Sequence, residues 1–255
     1  MRMLLWEVSQ TQHAQYLRRG EKPMCPRVYV GHPSCPKFLD DPDWIFSLEV
    51  NITLLVPPLT ERWFSKFVSL YQQLQNNRDT FEVCANDYGT LRWVSGHAGT
   101  AVAGFLLARQ ETDPRLSDYL SGARQPERTV YTPDGETVRL CHTVPPAPLV
   151  RHWRTPSCDA MALAFLGAER VELTAQTLPL PETMDVPHVT LWQGLAPLSV
   201  YPCRDCSHCG ASTGCCLTFH QKKLQWDANL LFYSSCTAMI PDYVDRIVHY
   251  DALPE

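Results

Sequence analysis

The sequence of 255 residues has no apolar run that approaches the roughly 20 residues that a membrane-spanning helix requires. Its amino-terminal segment, MRMLLWEVSQ, holds only a short apolar stretch, which is too short for the core of a secretory signal. We therefore expect a cytoplasmic protein without a membrane span. In that compartment thiols remain reduced, so clustered cysteines there are more often metal ligands than disulfides.

The chain also has few charged residues, and it lacks the short motifs that bind nucleotide phosphates. Only 19% of the residues are charged and the net charge is −5, which gives no electrostatic indication of a nucleic-acid partner. The sequence contains no glycine-rich phosphate-binding motif of the dinucleotide or P-loop type. It also lacks H-E-x-x-H, the zinc-binding motif of metallopeptidases, which argues against peptidase activity.

The chain does contain a succession of short apolar runs that are typical of buried strands. RVYVG (27–31) and VNITLLV (50–56) are continuous and rich in β-branched residues, as in a sheet covered on both faces. Helical spacing of apolar residues over 60–74 precedes the next strand-like run, FEVCA (81–85), and the small residues of 98–109 predict another helix. Later strands are predicted over 170–174, 188–192, 230–233 and 246–249.

The alternation of strands and helices predicts parallel β-α-β units, and hence a barrel or a doubly wound sheet. Because phosphate-binding motifs are missing, we favour a TIM-like (β/α) barrel, incomplete or distorted, with a cysteine-rich loop near the C-terminus. We assign residues 1–255 to a single domain, in which the polar stretch 110–148 forms a long loop or excursion. In a barrel, chemistry gathers where the strands end. The segments expected there are Gly31 to Cys35, Asn86-Asp87, Gly96-His97 and the late cysteine loop.

Eleven cysteines are present, an odd number that argues against a fully paired disulfide scaffold. Five of them crowd into PCRDCSHCGASTGCC (202–216), a density that a soft metal centre explains and packing does not. These five are Cys203, Cys206, Cys209, Cys215 and Cys216. The first three form a C-x2-C-x2-C run that is compatible with an iron–sulfur cluster, whereas the first two paired with the last two would make a zinc knuckle. Spacing alone leaves both metals open.

Another candidate ligand lies far upstream in the sequence. Cys35 follows the first predicted strand, where it could close over the same barrel mouth as the late loop. Cys236 follows a later strand and is a reserve ligand. For Cys25, on the other side of the first predicted strand, an ordinary buried position is an equally good interpretation. Cys84, Cys141 and Cys158 lie in apolar or helical patterns and fit core positions better.

Several motifs resemble the collagenase-like peptidase family of unknown catalytic type, and within it the UbiU/UbiV branch. FEVCANDYGTLRWV is similar to the family's strand and N-D-x-G-x-L element. VYVGHPSC resembles the branch's first strand, which ends in a ligand cysteine, and APLSVYPC resembles its P-L-A-Y-S-x-R-C element. The chain departs from this pattern where Pro202 replaces the usual arginine, and in the spacing between Cys209 and Cys215.

The resemblance implies an iron–sulfur protein that takes part in oxygen-independent hydroxylation of a small molecule resembling a ubiquinone precursor, as in ubiquinone biosynthesis. It also implies a heterodimer with a related family member. The implied [4Fe–4S] cluster is held by Cys35, Cys203, Cys209 and Cys216, with Cys206, Cys215 and Cys236 as alternative ligands and zinc as the alternative metal.

Candidates for substrate contacts are Asn86, Asp87 and His97, and no residue is assigned a catalytic role. For Asp87, a turn in which the carboxylate bonds its own backbone is an equally good interpretation. Two other functions stay open at this point. One is hydroxylation of an RNA base by a related family member, and the other is a non-catalytic scaffold subunit stabilised by zinc.

Overall fold

A computed structural model describes the chain at residues 11–97, 99–108, 128–131, 133–140, 163, 165–175, 186–200, 218–219, 222–237 and 239–250. Its strands are β1 (Gln12–Tyr16), β2 (Arg27–Gly31), β3 (Asn51–Val56), β4 (Glu82–Ala85), β5 (Thr100–Ala103), β6 (Arg128–Tyr131), β7 (Thr137–Leu140), β8 (Arg170–Thr174), β9 (Val189–Gln193), β10 (Ala196–Val200), β11 (Thr218–Phe219), β12 (Lys222–Asp227), β13 (Leu230–Tyr233) and β14 (Val244–His249). Its α-helices are α1 (Glu61–Asn77), α2 (Tyr88–Ser95) and α3 (Phe105–Ala108), and its 3-10 helices are Pro36–Asp40 and Asp43–Ser47.

Eight strands close into a barrel in the order β1, β14, β9, β8, β5, β4, β3 and β2. Every neighbouring pair in this ring is parallel. The predicted TIM-like (β/α) barrel is therefore confirmed, and its ring of strands is closed. Among the described residues, helices follow β3, β4 and β5, which places α1, α2 and α3 on the outside of the ring.

The continuous apolar runs follow from burial on both sides of the strands. On β2, Val28 and Val30 belong to the outer cluster, which includes the buried face of α1. Tyr29, between them, belongs to a second cluster and meets Trp192 of β9, a strand that does not neighbour β2, so this cluster fills the barrel interior. Side chains that alternate along each strand thus line two separate cores.

Helix α1 confirms the helix predicted over 60–74. Phe67, Leu70, Tyr71 and Leu74 are buried at the spacing of one helical face, which packs on the barrel. No helix in the described part of the chain is long and apolar enough to cross a bilayer.

The helix predicted over 98–109 is wrong in its first half. Residues 100–103 form β5, which pairs with β4 and β8, and only Phe105–Ala108 are helical. Tertiary pairing here overrides the helical preference of alanine. Gly104 makes the transition, because a Cβ at this position would lie 2.3 Å from Oδ1 of Asn86.

A second, four-stranded sheet has the order β10, β13, β12 and β11. We call it the capping sheet. Its strand β13 is the strand predicted over 230–233, whereas the strand predicted over 246–249 is β14 of the barrel. Leu230 and Phe232 of β13 join the interior cluster beside Tyr16 and Tyr250. Because these tyrosines end or follow β1 and β14, the capping sheet covers the carboxyl-terminal mouth of the barrel.

A separate antiparallel hairpin, formed by β6 and β7, lies within the stretch 110–148. Its second strand is Thr137–Leu140. The rest of this stretch lies outside the described residues, as do the N-terminal ten residues. The assignment of one domain to the whole chain stays a prediction.

An ion-pair network fills the amino-terminal end of the barrel interior. Glu82 receives hydrogen bonds from both terminal nitrogens of Arg246, at 2.6 and 2.9 Å, and from Oγ1 of Thr53 at 2.8 Å. Arg27 lies 3.3 Å from the same carboxylate. Burial would raise the pKa of Glu82, but the hydrogen bond and charge of Arg246 outweigh it and lower the pKa below its ordinary value.

Candidate functional site

The carboxyl-terminal mouth of the barrel carries a cluster of polar side chains centred on Asp227. This residue ends β12, in the capping sheet, and its partners belong to the barrel. Its carboxylate lies 3.3 Å from Nη2 of Arg18 and 3.3 Å from Nε2 of His32, and it accepts a hydrogen bond from the hydroxyl of Tyr250. One carboxylate therefore joins the capping sheet to three separate segments of the barrel.

The charge state of Asp227 follows from these contacts. Burial would raise its pKa, but His32, Tyr250 and Arg18 together outweigh burial and hold the pKa well below its ordinary value. The backbone N–H of Ser34 donates to Nδ1 of His32 at 3.1 Å, so the proton of a neutral imidazole sits on Nε2 and faces Asp227. Nε2 is within ion-pair distance of the carboxylate but does not reach hydrogen-bond geometry.

Cys35 lies at this mouth, as the sequence predicts. It follows β2 and is the N-cap residue of the first 3-10 helix, with an exposed fraction of 7%. Nearby, Tyr16 is fully buried, and burial raises its pKa above the ordinary value. The charge of Asp227 raises the pKa of Tyr16 further.

The last described residue before the cysteine-rich segment is Val200. Strand β10 ends at Val200, which pairs with Leu230 of β13. The neighbouring Asn229 donates from Nδ2 to the carbonyl oxygen of Ser34 at 3.5 Å, and Ser34 directly precedes Cys35. These contacts connect the end of β10, through β13 and its preceding turn, to the residue before Cys35.

The other proposed ligands, Cys203, Cys209 and Cys216, lie outside the described residues, together with Cys206 and Cys215. Cys236, the reserve ligand, is described and is exposed after β13. Within the described ranges, no three His, Cys, Asp or Glu side chains converge as metal ligands. A metal centre at the mouth would therefore take Cys35 from the described residues and its other thiolates from the late segment, a donor set that suits iron–sulfur clusters or zinc.

Asn86 and Asp87 also lie at the mouth, where both are held by local hydrogen bonds. Asn86 is 3% exposed, donates to the carbonyl of Val56 at 3.0 Å, and accepts from the N–H of Leu106 at 3.3 Å. Asp87 caps α2 by accepting from the backbone N–H and the hydroxyl of Thr90, at 2.8 and 2.7 Å. These contacts give both residues structural roles, and contact with a substrate stays a prediction.

His97 does not join them. It lies between the end of α2 and the start of β5, which is the amino-terminal end of the barrel. Its ring stacks on Trp93 with centroids 3.9 Å apart, and its Nδ1 lies 2.7 Å from the Trp93 carbonyl oxygen. The expectation that Gly96-His97 lies where strands end is wrong, because β4 ends before α2 and this turn leads back to the next strand.

A pocket of about 430 Å³ also opens at the amino-terminal side, where Pro26, Asn51 and Thr80 contribute to its lining. Arg78 lies in its wall and donates hydrogen bonds to the carbonyl oxygens of Ile45, Leu48 and Val50. In barrels of this class the amino-terminal face contributes stability and the carboxyl-terminal face carries the chemistry. We therefore place the candidate site at the mouth and not in this pocket.

Residue patterns gave no role to the members of the cluster around Asp227, although His32 falls in the segment Gly31 to Cys35 that the sequence places at the mouth. His32 belongs to the same G-H-P-S-C motif and could have been found by its position after a strand. Asp227 begins D-A-N (227–229), a turn signal between two strands. Arg18 carries no local signal, because only the closure of the barrel brings the β1–β2 connection to the capping sheet.

The barrel interior holds a second feature that the patterns missed. Glu172 of β8 is fully buried and accepts hydrogen bonds from Sγ of Cys84 at 3.0 Å and from Nε1 of Trp192 at 2.9 Å. Both bonds go to Oε2, and Oε1 has no hydrogen-bond partner among the described residues. Burial raises the pKa of Glu172, and the hydrogen bonds from Cys84 and Trp192 offset this only in part.

The stabilisation of the folded state by the substitution Glu172→Gln is therefore expected to increase as the pH rises. A folded pKa above the unfolded value of about 4.3 stabilises the protein below that pH, and this contribution is lost as the pH rises through the folded pKa. Glutamine keeps an acceptor for Trp192 but never ionises. We expect the variant to gain stability relative to the wild type between pH 5 and pH 8 in urea unfolding, whereas a difference that stays constant with pH would contradict this account.

Comparisons with known protein families, curated proteins and solved structures found no match. No protein-family model matches the chain, no curated protein matches it, and no solved structure matches it. The resemblance to the collagenase-like peptidase family therefore rests on the quoted motifs alone.

Proposed function

We propose that the chain is an iron–sulfur protein of the UbiU/UbiV type that takes part in an oxygen-independent hydroxylation. A [4Fe–4S] cluster would lie at the barrel mouth, held by Cys35, Cys203, Cys209 and Cys216. The substrate would be a small molecule resembling a ubiquinone precursor. The protein would act in the cytoplasm, as a heterodimer with a related subunit.

One observation carries this proposal. Cys35 is buried at the carboxyl-terminal mouth. Val200, the last described residue before the segment with five cysteines, pairs with β13, and the turn that precedes β13 donates a hydrogen bond to the carbonyl oxygen of Ser34. Barrel enzymes place their chemistry at this face. The arrangement supports a centre that joins one early thiolate to several late ones.

When bound, a cluster with four cysteine ligands supplies electron transfer, because no iron position is left open to act as a Lewis acid. The residues around the mouth would shape its surroundings. Tyr16, Trp192 and Tyr250 are buried beneath the capping sheet and exclude water from the barrel interior. Arg18 and Asp227 add a pair of opposite charges at the rim, and both are partly exposed there.

Anaerobic purification with metal analysis tests the proposal. We expect a brown protein that absorbs at about 400 nm and contains about four iron atoms per chain. A colourless protein with about one zinc ion per chain would contradict the cluster and support the zinc-stabilised scaffold. Co-purification with a related subunit would then test the heterodimer.

A further inference from the structure

We propose that the β12–β13 hairpin is a latch that shields Cys35, and that Asp227 is the positioning residue that closes it. The role of Cys35 as a metal ligand rests on the proposed function, but the latch does not. Its consequence for that site is control of access, because an open hairpin would admit iron, sulfide and reductants to the Cys35 thiolate.

The polar contacts of the latch with the barrel strands converge on the carboxylate of Asp227. Asp227 sits at the end of β12, directly before the turn, and meets Arg18, His32 and Tyr250. These partners follow β1, β2 and β14, so the three contacts join the hairpin to three neighbouring strands of the barrel. Hydrogen bonds and ion pairs with a charged acceptor are stronger than neutral ones, especially where burial excludes water.

The tip of the hairpin reaches the segment that carries Cys35. His32, a partner of Asp227, and Ser34, which receives the hydrogen bond from Asn229, both lie within three residues of Cys35. Cys35 itself is buried. Two hairpin residues thus hold the chain on the amino-terminal side of the thiol.

Apolar packing beneath the hairpin is continuous with the barrel interior. Phe232 meets Tyr250 edge-on with ring centroids 5.5 Å apart, and Leu230 is fully buried in the same cluster. The hydroxyl of Tyr250 donates to Asp227, so this one side chain belongs to both the apolar contact and the polar one. Loss of the carboxylate would therefore loosen the hairpin without removing the apolar core of the barrel.

The cysteines of the chain provide the measurement. The full chain, purified anaerobically, stripped of metal with a chelator and kept reduced, is pulsed with N-ethylmaleimide, and alkylation is followed for each peptide by mass spectrometry. Cys35 reports opening of the hairpin. Cys84, buried in the barrel interior, reports global unfolding, and the exposed Cys236 reports intrinsic thiol reactivity.

We expect Asp227→Asn to accelerate alkylation of Cys35 by about tenfold, with Cys84 still protected and Cys236 unchanged. Tyr250→Phe, which removes a single donor to Asp227, should accelerate it by about threefold. The matched control is Asp245→Asn, because Asp245 also bonds an arginine and a histidine but lies at the amino-terminal end of the barrel. That variant should leave Cys35 at the wild-type rate.

Unchanged alkylation of Cys35 in both variants, with Cys84 protected, would overturn the latch. Joint acceleration of Cys35 and Cys84 in Tyr250→Phe would overturn it too, since the opening would then be global. Should Asp227→Asn unfold, as exposure of Cys84 would reveal, Tyr250→Phe decides. If the purified wild-type chain contains no iron but the variants still accelerate alkylation of Cys35, the proposed cluster is contradicted and the latch is supported.

Discussion

Exchange of Cys35 for serine is expected to lower the iron content of the anaerobically purified chain from about four atoms to fewer than about one per chain. Cys35 is the proposed ligand that the barrel itself contributes, and the other three belong to one late segment. Loss of this thiolate would detach the cluster from the mouth and expose it to solvent. Iron analysis and the absorbance at about 400 nm measure the loss.

Cys25→Ser is the matched control, because Cys25 precedes β2 and Cys35 follows it. The two thiols therefore lie at opposite ends of the same strand, and only Cys35 is at the mouth. A second pair compares Cys203 of the late segment with Cys158, which precedes that segment: Cys203→Ala should lose the iron and Cys158→Ala should keep it. Equal loss of iron from both members of either pair would show that the ligand assignment is arbitrary.

Glu82→Ala is expected to lower the free energy of unfolding by about 3–5 kcal/mol. The substitution removes the carboxylate that pairs with Arg246, which is only 3% exposed, and leaves that buried guanidinium without its counter-charge. Arg27 loses its ion-pair partner in the same step. Urea unfolding near pH 7 measures the change.

Asp41→Ala provides the comparison, because Asp41 pairs with Arg19 and both side chains are more than half exposed. An exposed pair of this kind contributes about 0–1 kcal/mol. Since the pKa of Glu82 is lowered in the folded state, its contribution is present above about pH 4.3 and is lost as the pH falls through the folded pKa. Glu82→Ala should therefore lack this acid-induced loss, and equal effects of the two substitutions at pH 7 would contradict the account.

Local patterns were sufficient for the strands of the barrel that are buried on both sides. The runs at 27–31 and 50–56 became β2 and β3, since a strand covered on both faces needs apolar residues at every position. They were insufficient over 98–109. There, small residues suit a helix, but the gap between β4 and β8 requires a strand.

The candidate site also has one part that local residues predict and another part that they do not. The residues of VYVGHPSC place Cys35 after a strand, and that position predicts the barrel mouth once the fold is known. Nothing local predicts that Asp227 meets Arg18, because 209 positions of chain separate them. The predicted position of His97 was wrong for a related reason. The end of the barrel on which a turn lies depends on whether a strand or a helix precedes it, and His97 follows a helix.

The amino-acid sequence by itself determined six of the eight barrel strands, and that five thiols crowd into one short segment, because both are properties of neighbouring residues. Only the tertiary structure decided that the ring of strands closes, that a capping sheet covers its mouth, and that one carboxylate joins the two. Those features depend on contacts between residues far apart in the chain, and local propensity carries no information about such contacts.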